Sequence, residues 1–512
     1  MEQKNCAISK LEPAKDINAR LKKLTDDRQV YSVGDNDLKN VLNYYETKCS
    51  KSKAITSEAK EYIPGGVQHN LAFNYPFPLC FNKADGAYLY DIDGNKYFDF
   101  LQAGGPTILG SNYSATKEKV IDLINNCGPV TGLFHEAELL IAKEIRKHMP
   151  ACEMFRMLGS GTESVMAAIR VARCATGNKR VVKMGGGYHG WSDQMVYGLK
   201  IPGSRNFMES HGIPGTCFKQ TDEVRPNDLV MLEKMLKRNK HKGGTACVIV
   251  EPVGPESGTR PVDFNYNQQA LELAHKYGAL FIFDEVVTGF RVGLSGAQGY
   301  FNVKPDLTIF GKIIAGGYPG AGGVGGKSEY IRCMSAGVAS GMKRAYVGGT
   351  LAANPLSAYA GYVTIKEIER TNACAIAGKA GDRLAAGLQK LVDKYKLPYV
   401  AYNQGSIVHL ECTGAMSYDF SNFNILKSLL PLLKKKPEML QRKVEMEHMG
   451  AAYMANGIVT LAGSRMYTSM ADTDEIIDAA LVQFDKVFSM VKPRPIKSNE
   501  EWKAEQQAKS AK

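Results

Sequence analysis

The sequence predicts an α/β protein: a large domain built on a parallel sheet covered on both faces, beside a smaller α+β domain. Two observations carry this. Four short runs, RVVKM (180–184), ACVIVEPV (246–253), ALFIFDEVV (279–287) and DLTIF (306–310), are apolar almost throughout, as strands buried on both faces are. Between them, ESVMAAIRVARCAT and NQQALELAHKYG space their apolar residues as helices do. Strand and helix in alternation imply parallel pairing.

The elements follow in order. Residues 1–60 are polar and partly helical in pattern, and read as an N-terminal arm. Residues 61–115 open the small domain, where GAYLYDIDGNKYFDF alternates apolar and polar residues around Asp93-Gly94, a hairpin signal. Residues 116–350 hold the strand–helix alternation. Residues 351–490 return to the small domain, with longer helical stretches and the terminal DTDEIIDAALVQFDKVF. Residues 491–512 read as a basic tail.

The totals narrow the function classes. The chain has 512 residues, 44% hydrophobic and 23% charged, with a net charge of +12, ordinary for a globular protein with a large core. Its lysines and arginines are scattered, without an aromatic-interleaved basic stripe, which argues against nucleic acid and for a surface that attracts anionic small molecules. Eleven cysteines, with no CxxC pair, fit a reducing compartment and give no zinc spacing. No apolar run reaches the ~18 residues of a membrane span, and the first residues, MEQKNCAISKLEPAKD, contain no signal-like apolar stretch. A cytoplasmic location is expected.

Several short segments carry chemistry. In MLGSGTESVMAAIRVA, Ser160, Gly161 and Thr162 stand at a helix start, where free N–H groups and the helix dipole attract an anion; helix capping explains the same residues equally. In GGGYHG, Gly185–Gly187 follow a strand, so that Tyr188 can lie on a ring, or the segment is a plain turn with His189 inside it. Asp284 ends an apolar strand, where a carboxylate needs a partner and where α/β sheets bind ligands; a capping role is the alternative. Two lysines sit in glycine. Lys327 closes AGGVGGKS, a loosened phosphate-loop pattern whose preceding AGGYPG makes a poor strand. Lys312 follows DLTIF directly, where apolar surroundings depress a lysine pKa and free it as a nucleophile, unless it snorkels to solvent. An anion site, a ring-stacking aromatic, a carboxylate and a lysine, in that order, are what a pyridoxal phosphate site demands.

From about IPGGV (63–67) to residue 485 the chain resembles class III aminotransferases of pyridoxal-phosphate fold type I, and within them the glutamate-1-semialdehyde 2,1-aminomutase branch. The motifs are KADGAYLYDIDGNKYFDF, GSGTESVMAAIR, YHG, FDEVVTGFRV, AQGYFNVKPDLTIFGKIIAGGYP and GGTLAANPLSAYAG. The resemblance implies a mainly parallel seven-stranded sheet and pyridoxal 5'-phosphate as cofactor. It makes Lys312 the Schiff-base lysine, with Asp284 on the pyridine nitrogen and Val286 and Tyr188 on the two ring faces. Ser160, Gly161 and Thr162 would hold the phosphate, and His189 would line the cofactor. Thr350 would reach the partner subunit's cofactor, which implies a homodimer with shared sites. The expected activity is ping-pong transfer of an amino group from an amino acid, α, β or ω, to a 2-oxo acid such as 2-oxoglutarate or pyruvate. Intramolecular transfer by an aminomutase is the alternative, and a nucleotide-binding loop at Lys327 a remote one.

The chain also departs from that branch. Where the aminomutase pattern reads GVNSPVRAF, with an arginine for the substrate carboxylate, this chain has the shorter GVQHNLAF and no arginine. Near Gly463, Arg465 replaces the aminomutase glutamate, and Glu256 in EPVGPESG falls where ω-amino acid aminotransferases carry a gating glutamate. A Glu256–Arg465 substrate switch is therefore expected. LFHEAEL offers His135 and Glu136 without a defined role.

Overall fold

The computed structural model describes residues 5–27, 29–198, 210–337, 343–415, 425–498 and 500–501, with side chains of the helix Ile425–Ala455 described from residue 437. A seven-stranded sheet lies at its centre. In chain order its strands are β1 (Met154–Leu158), β2 (Arg180–Met184), β3 (Thr221–Val224), β4 (Thr245–Val250), β5 (Leu280–Asp284), β6 (Leu307–Gly311) and β7 (Gly322–Gly326). Their spatial order is β1-β7-β6-β5-β4-β2-β3. The pairs among β6, β5, β4, β2 and β3 are parallel, whereas β7 runs antiparallel to both β6 and β1.

Continuous apolar strands supply a core on each face. Val182, Val248, Phe281 and Phe283 meet Leu232, Leu236, Ala270 and Ala274 of the helices Leu229–Lys240 and Tyr266–Lys276. Their neighbours Val181, Ile249, Ile282 and Ile309 point the other way, onto Val165, Ala168, Ile169 and Ala172 of the helix Gly161–Thr176. The two helices anticipated between strands are both present.

The segment AGGVGGKS is the main difference from expectation. Its glycines lie outside the strands anticipated from sequence and suit close backbone packing, and Gly322–Gly326 form the buried strand β7. Packing explains this: a Cβ at Gly322 would lie 2.3 Å from the Ser160 carbonyl oxygen, at Gly323 2.3 Å from the Phe155 ring, and at Gly326 2.4 Å from the Asp306 carbonyl oxygen. The strand exists because it has almost no side chains, which strand propensity cannot anticipate. β1 and β3 likewise lay outside the runs singled out from sequence.

The flanking segments pack together around a second core. Tyr88–Asp91 and Lys96–Asp99 form the anticipated hairpin, with Gly94 at φ +93° in its turn. The strands Val400–Gln404, Ile407–Glu411 and Arg465–Tyr467 form an antiparallel sheet. Within the first 62 residues, the helices Asp35–Lys48 and Ser50–Tyr62 follow the strand Gln29–Val33, which pairs antiparallel with Val491–Pro495. Val33, Val41 and Tyr45 are buried in one cluster with Leu388, Phe484 and Val487.

Candidate active site

The site is built at the ends of β1, β4, β5 and β6. β1 leads through Gly159 and Ser160 into the helix Gly161–Thr176. Ser160 Oγ accepts the Glu163 N–H at 3.2 Å, and Glu163 Oε2 accepts the Gly159 N–H at 2.7 Å. The capping reading of these residues therefore holds, and the helix start still presents the positive end of its dipole. The loop carrying Tyr188 and His189 closes over this turn, for a Cβ at Gly190 (φ +80°) would lie 2.5 Å from Thr162 Oγ1. Val286 packs against the same turn: Cβ atoms at Gly161 and Gly311 would lie 3.2 and 2.8 Å from its methyl groups.

Asp284 ends β5 and is buried. Its Oδ2 lies 2.6 Å from His189 Nδ1, and its Oδ1 accepts the Val286 N–H at 3.1 Å. This answers the need of a buried carboxylate for partners. His189 is itself buried, and its Nε2 makes no hydrogen bond.

Lys312 is the first residue after β6, at φ +50°, a left-handed conformation that costs a non-glycine residue about 1–3 kcal/mol and recurs at functional positions. Burial pushes its pKa down; Arg465 and Arg291 act in the same direction, and Tyr467 and Asp284 oppose them. Its amine has no hydrogen bond or salt bridge among the described residues. Above it runs LQAGGP, where Gln102, Ala103, Gly104 and Gly105 all have positive φ. A Cβ at Gly104 would lie 3.8 Å from Lys312 Nζ and 3.9 Å from Leu71 Cδ1. Leu71 of GVQHNLAF thus comes near the same glycine, and is 42% exposed.

Lys327 lies elsewhere, its Nζ 2.8 Å from Asp306 Oδ1 at the far end of β6. A phosphate loop needs a helix of length after it, and only the four-residue Ser328–Ile331 follows. His135 caps the helix Glu136–His148, accepting the Ala137 N–H at 3.1 Å, which accounts for LFHEAEL.

Glu256 and Arg465 meet. Arg465 Nη1 donates to Glu256 Oε2 at 3.0 Å and to the Glu256 carbonyl at 2.5 Å. Glu256 and Ser257 adopt left-handed backbone, φ +53° and +56°. Glu251, just past β4, fixes that turn: its carboxylate accepts the N–H groups of Tyr188, Glu256 and Ser257 at 2.9, 3.0 and 2.7 Å. Burial, then the nearby Asp284 and Glu256, push its pKa up to about 8 against the effect of those donors. Sequence reasoning passed over Glu251, although it follows an apolar strand just as Asp284 does. It also passed over His409 and Glu411, which alternate along Ile407–Glu411. His409 stacks on Tyr402 at 4.8 Å, and its Nε2 lies 3.1 Å from both the Ser257 carbonyl and Gln404 Oε1. Arg291 is another omission. It is fully buried, bonds Gly105, Ser406 and Thr468, and lies 5.0 Å over the Tyr467 ring, so it holds the 102–105 loop in place. Thr350 lies on an exposed segment, whose Gly349 approaches Glu163.

A desolvated amine, a partnered carboxylate on the adjacent parallel strand and a helix start that directs its positive dipole end into the site form the arrangement a pyridoxal-phosphate enzyme of fold type I requires. The residues present fit that cofactor: Gly104 and Gly105 leave room beside the Lys312 side chain, Gly161 and Gly311 make room for Val286, and the amine, the carboxylate and the helix start answer its aldehyde, ring nitrogen and phosphate. Residues 71–446 match the model of the class-III aminotransferases, and the chain belongs to that family. It is 35% identical over 452 residues, 87% of this chain and 99% of the relative, to glutamate-1-semialdehyde 2,1-aminomutase of Acetivibrio thermocellus. It is 38% identical over 366 residues, 70% of this chain and 83% of the relative, to glutamate-1-semialdehyde 2,1-aminomutase 2 of Lachnoclostridium phytofermentans. Among solved structures, an omega-transaminase from Sphaerobacter thermophilus superposes with a TM-score of 0.74 at 26% identity, over 87% of this chain and 99% of that one. The protein is therefore a pyridoxal-phosphate-dependent transaminase or aminomutase, and the nucleotide-loop reading is set aside.

Proposed function

We propose that this enzyme is an intermolecular aminotransferase, with an amino dicarboxylate such as glutamate serving one half-reaction and an amine of another shape, a β- or ω-amino acid, serving the other. The observation that carries this is the Arg465–Glu256 pair, at 3.0 Å. A substrate with a second carboxylate displaces Glu256 and takes Arg465; a substrate without one leaves the pair closed. The lack of an arginine in GVQHNLAF supports a pocket unlike that of an aminomutase that grips its substrate with arginine.

Pyridoxal phosphate, when bound, withdraws electrons from the substrate carbon beside the nitrogen. The protein does the rest. Ser160, Gly161 and Thr162 would hold the phosphate, while Val286 and Tyr188 would bracket the ring. Asp284, oriented by His189, keeps a proton on the pyridine nitrogen. Lys312 would anchor the cofactor and, once free of it, would take a proton from the substrate carbon and return it on the cofactor side, the lowering of its pKa by burial favouring the basic form. A carbonyl product would leave after the first half-reaction, and a 2-oxo acid would take up the amino group in the second.

A homodimer with Thr350 reaching the partner's phosphate fits the exposed Leu133, Phe134, Tyr346 and Leu351, since apolar surface of this kind marks interfaces. Eleven free cysteines suit a cytoplasmic location; among the described residues no helix is long and apolar enough to cross a membrane.

The second reading, intramolecular amino transfer, is favoured by the identity to two aminomutases. One spectrum separates the two. Glutamate added without acceptor should bleach the cofactor's absorbance in proportion to enzyme, leaving the amino form. An unchanged band, together with turnover of a single substrate that needs no acceptor, would establish the mutase instead.

A further inference from the structure

Away from the active site, two helices bring three metal-type ligands together. Glu144 and His148 stand one turn apart on Glu136–His148, and Glu369 faces them from Pro355–Thr371, which packs alongside. His148 Nε2 lies 3.4 Å from Glu144 Oε2 and 3.8 Å from Glu369 Oε2, and all three ligand atoms fall within 4.8 Å of one another. Zinc bonds of about 2.0–2.2 Å at tetrahedral angles separate ligand atoms by roughly 3.3–3.6 Å. The spacing is thus close to that of a metal-bound trio.

A second observation comes from hydrogen bonding. The His148 side chain is only 9% exposed, yet among the described residues its Nε2 makes no hydrogen bond, and neither does Glu144 Oε2 beside it. Buried polar atoms are rarely left so. Two lysines now balance the carboxylates. Lys147 Nζ lies 2.7 Å from Glu369 and 3.5 Å from Glu144, and Lys366 Nζ lies 3.6 and 3.7 Å from the same pair. Both are on long, partly exposed stems that can turn to solvent.

We propose that Glu144, His148 and Glu369 form a site for a divalent cation of zinc-like preference, water completing the tetrahedron and Lys147 and Lys366 moving aside on binding. The ion would tie the helix Pro355–Thr371 to Glu136–His148. The former backs the turn after Lys312, where Gly361 lies against the Ile314 carbonyl. A metal here would be a staple behind the active site, not a participant in it.

The test is titration of the holoenzyme with Zn2+ against a chromophoric chelator, in wild type and four variants. One equivalent per chain should depend on His148: His148→Gln and Glu144→Gln, each with cofactor absorbance intact, should weaken it at least ~10-fold, since even outer partners of metal ligands cost that much. Lys147→Ala and Lys366→Ala should tighten it. Thiol-bound zinc would titrate alike in all five proteins. Equal binding by wild type and His148→Gln, no binding at all, or no tightening on lysine removal would each show an ion-pair network only.

Discussion

At the scale of single residues, the two glycine-set lysines differ by what surrounds the amine. Lys327 is neutralised by Asp306, whereas Lys312 has its charge disfavoured by burial. Lys312→Ala is therefore expected to lower turnover by on the order of 10^2–10^4-fold or more while cofactor remains bound non-covalently; a variant retaining near wild-type kcat would refute its role. Arg465→Ala should impair the half-reaction with glutamate far more than that with an amine lacking a second carboxylate, measured by single-turnover absorbance. Equal losses in both would remove the switch. Lys312 and Asp284 were legible because each is a charged group at the end of an apolar strand. Glu251 obeys the same rule, and its role in holding the Glu256 turn emerged only once its three N–H donors were in view.

At the scale of elements, the strands with side chains were readable and the strand without them was not. β4, β5 and β6 declare themselves through Val, Ile and Phe. β7 is defined by the bulk of its neighbours, Phe155 and the backbone at Ser160, information that lies about 160 residues away in the chain. Gly323→Ala is expected to destabilise the protein by about 1–3 kcal/mol through overpacking. Gly322→Ala should in addition loosen cofactor binding, because its Cβ would press on the phosphate turn at Ser160. A thermal melt with and without added cofactor distinguishes the two, and identical behaviour would contradict the packing account.

At the scale of the whole molecule, the buried imidazole of His409 links the small domain to pH. Burial first, then Arg465, pushes its pKa down to about 3. The unfolded chain takes up that proton near pH 6.5 and the folded one does not, so stability is full above 6.5 and falls as pH drops toward 3, by on the order of 1 kcal/mol per pH unit. His409→Gln should flatten the dependence of the urea midpoint on pH in that window; an unchanged slope would mean His409 does not carry it. That the flanking segments share a core is in keeping with the hairpin and the late helices read from sequence. What eluded sequence was how residues before 60 join it, since Val33, Val41 and Tyr45 form an unremarkable stripe until Phe484 and Val487 are set against them.

The pairing of Gln29–Val33 with Val491–Pro495 also bears on how the protein is made. The first of these strands leaves the ribosome some 460 residues before its mate exists, at ~5–20 residues per second a wait of tens of seconds. The central sheet, complete by residue 326, has every partner it needs in that interval. The early helices must meanwhile keep apolar surface uncovered, which makes them the natural clients of a chaperone. A truncation just before residue 491 should yield a chain with its cofactor pocket assembled and its leading segment open to protease.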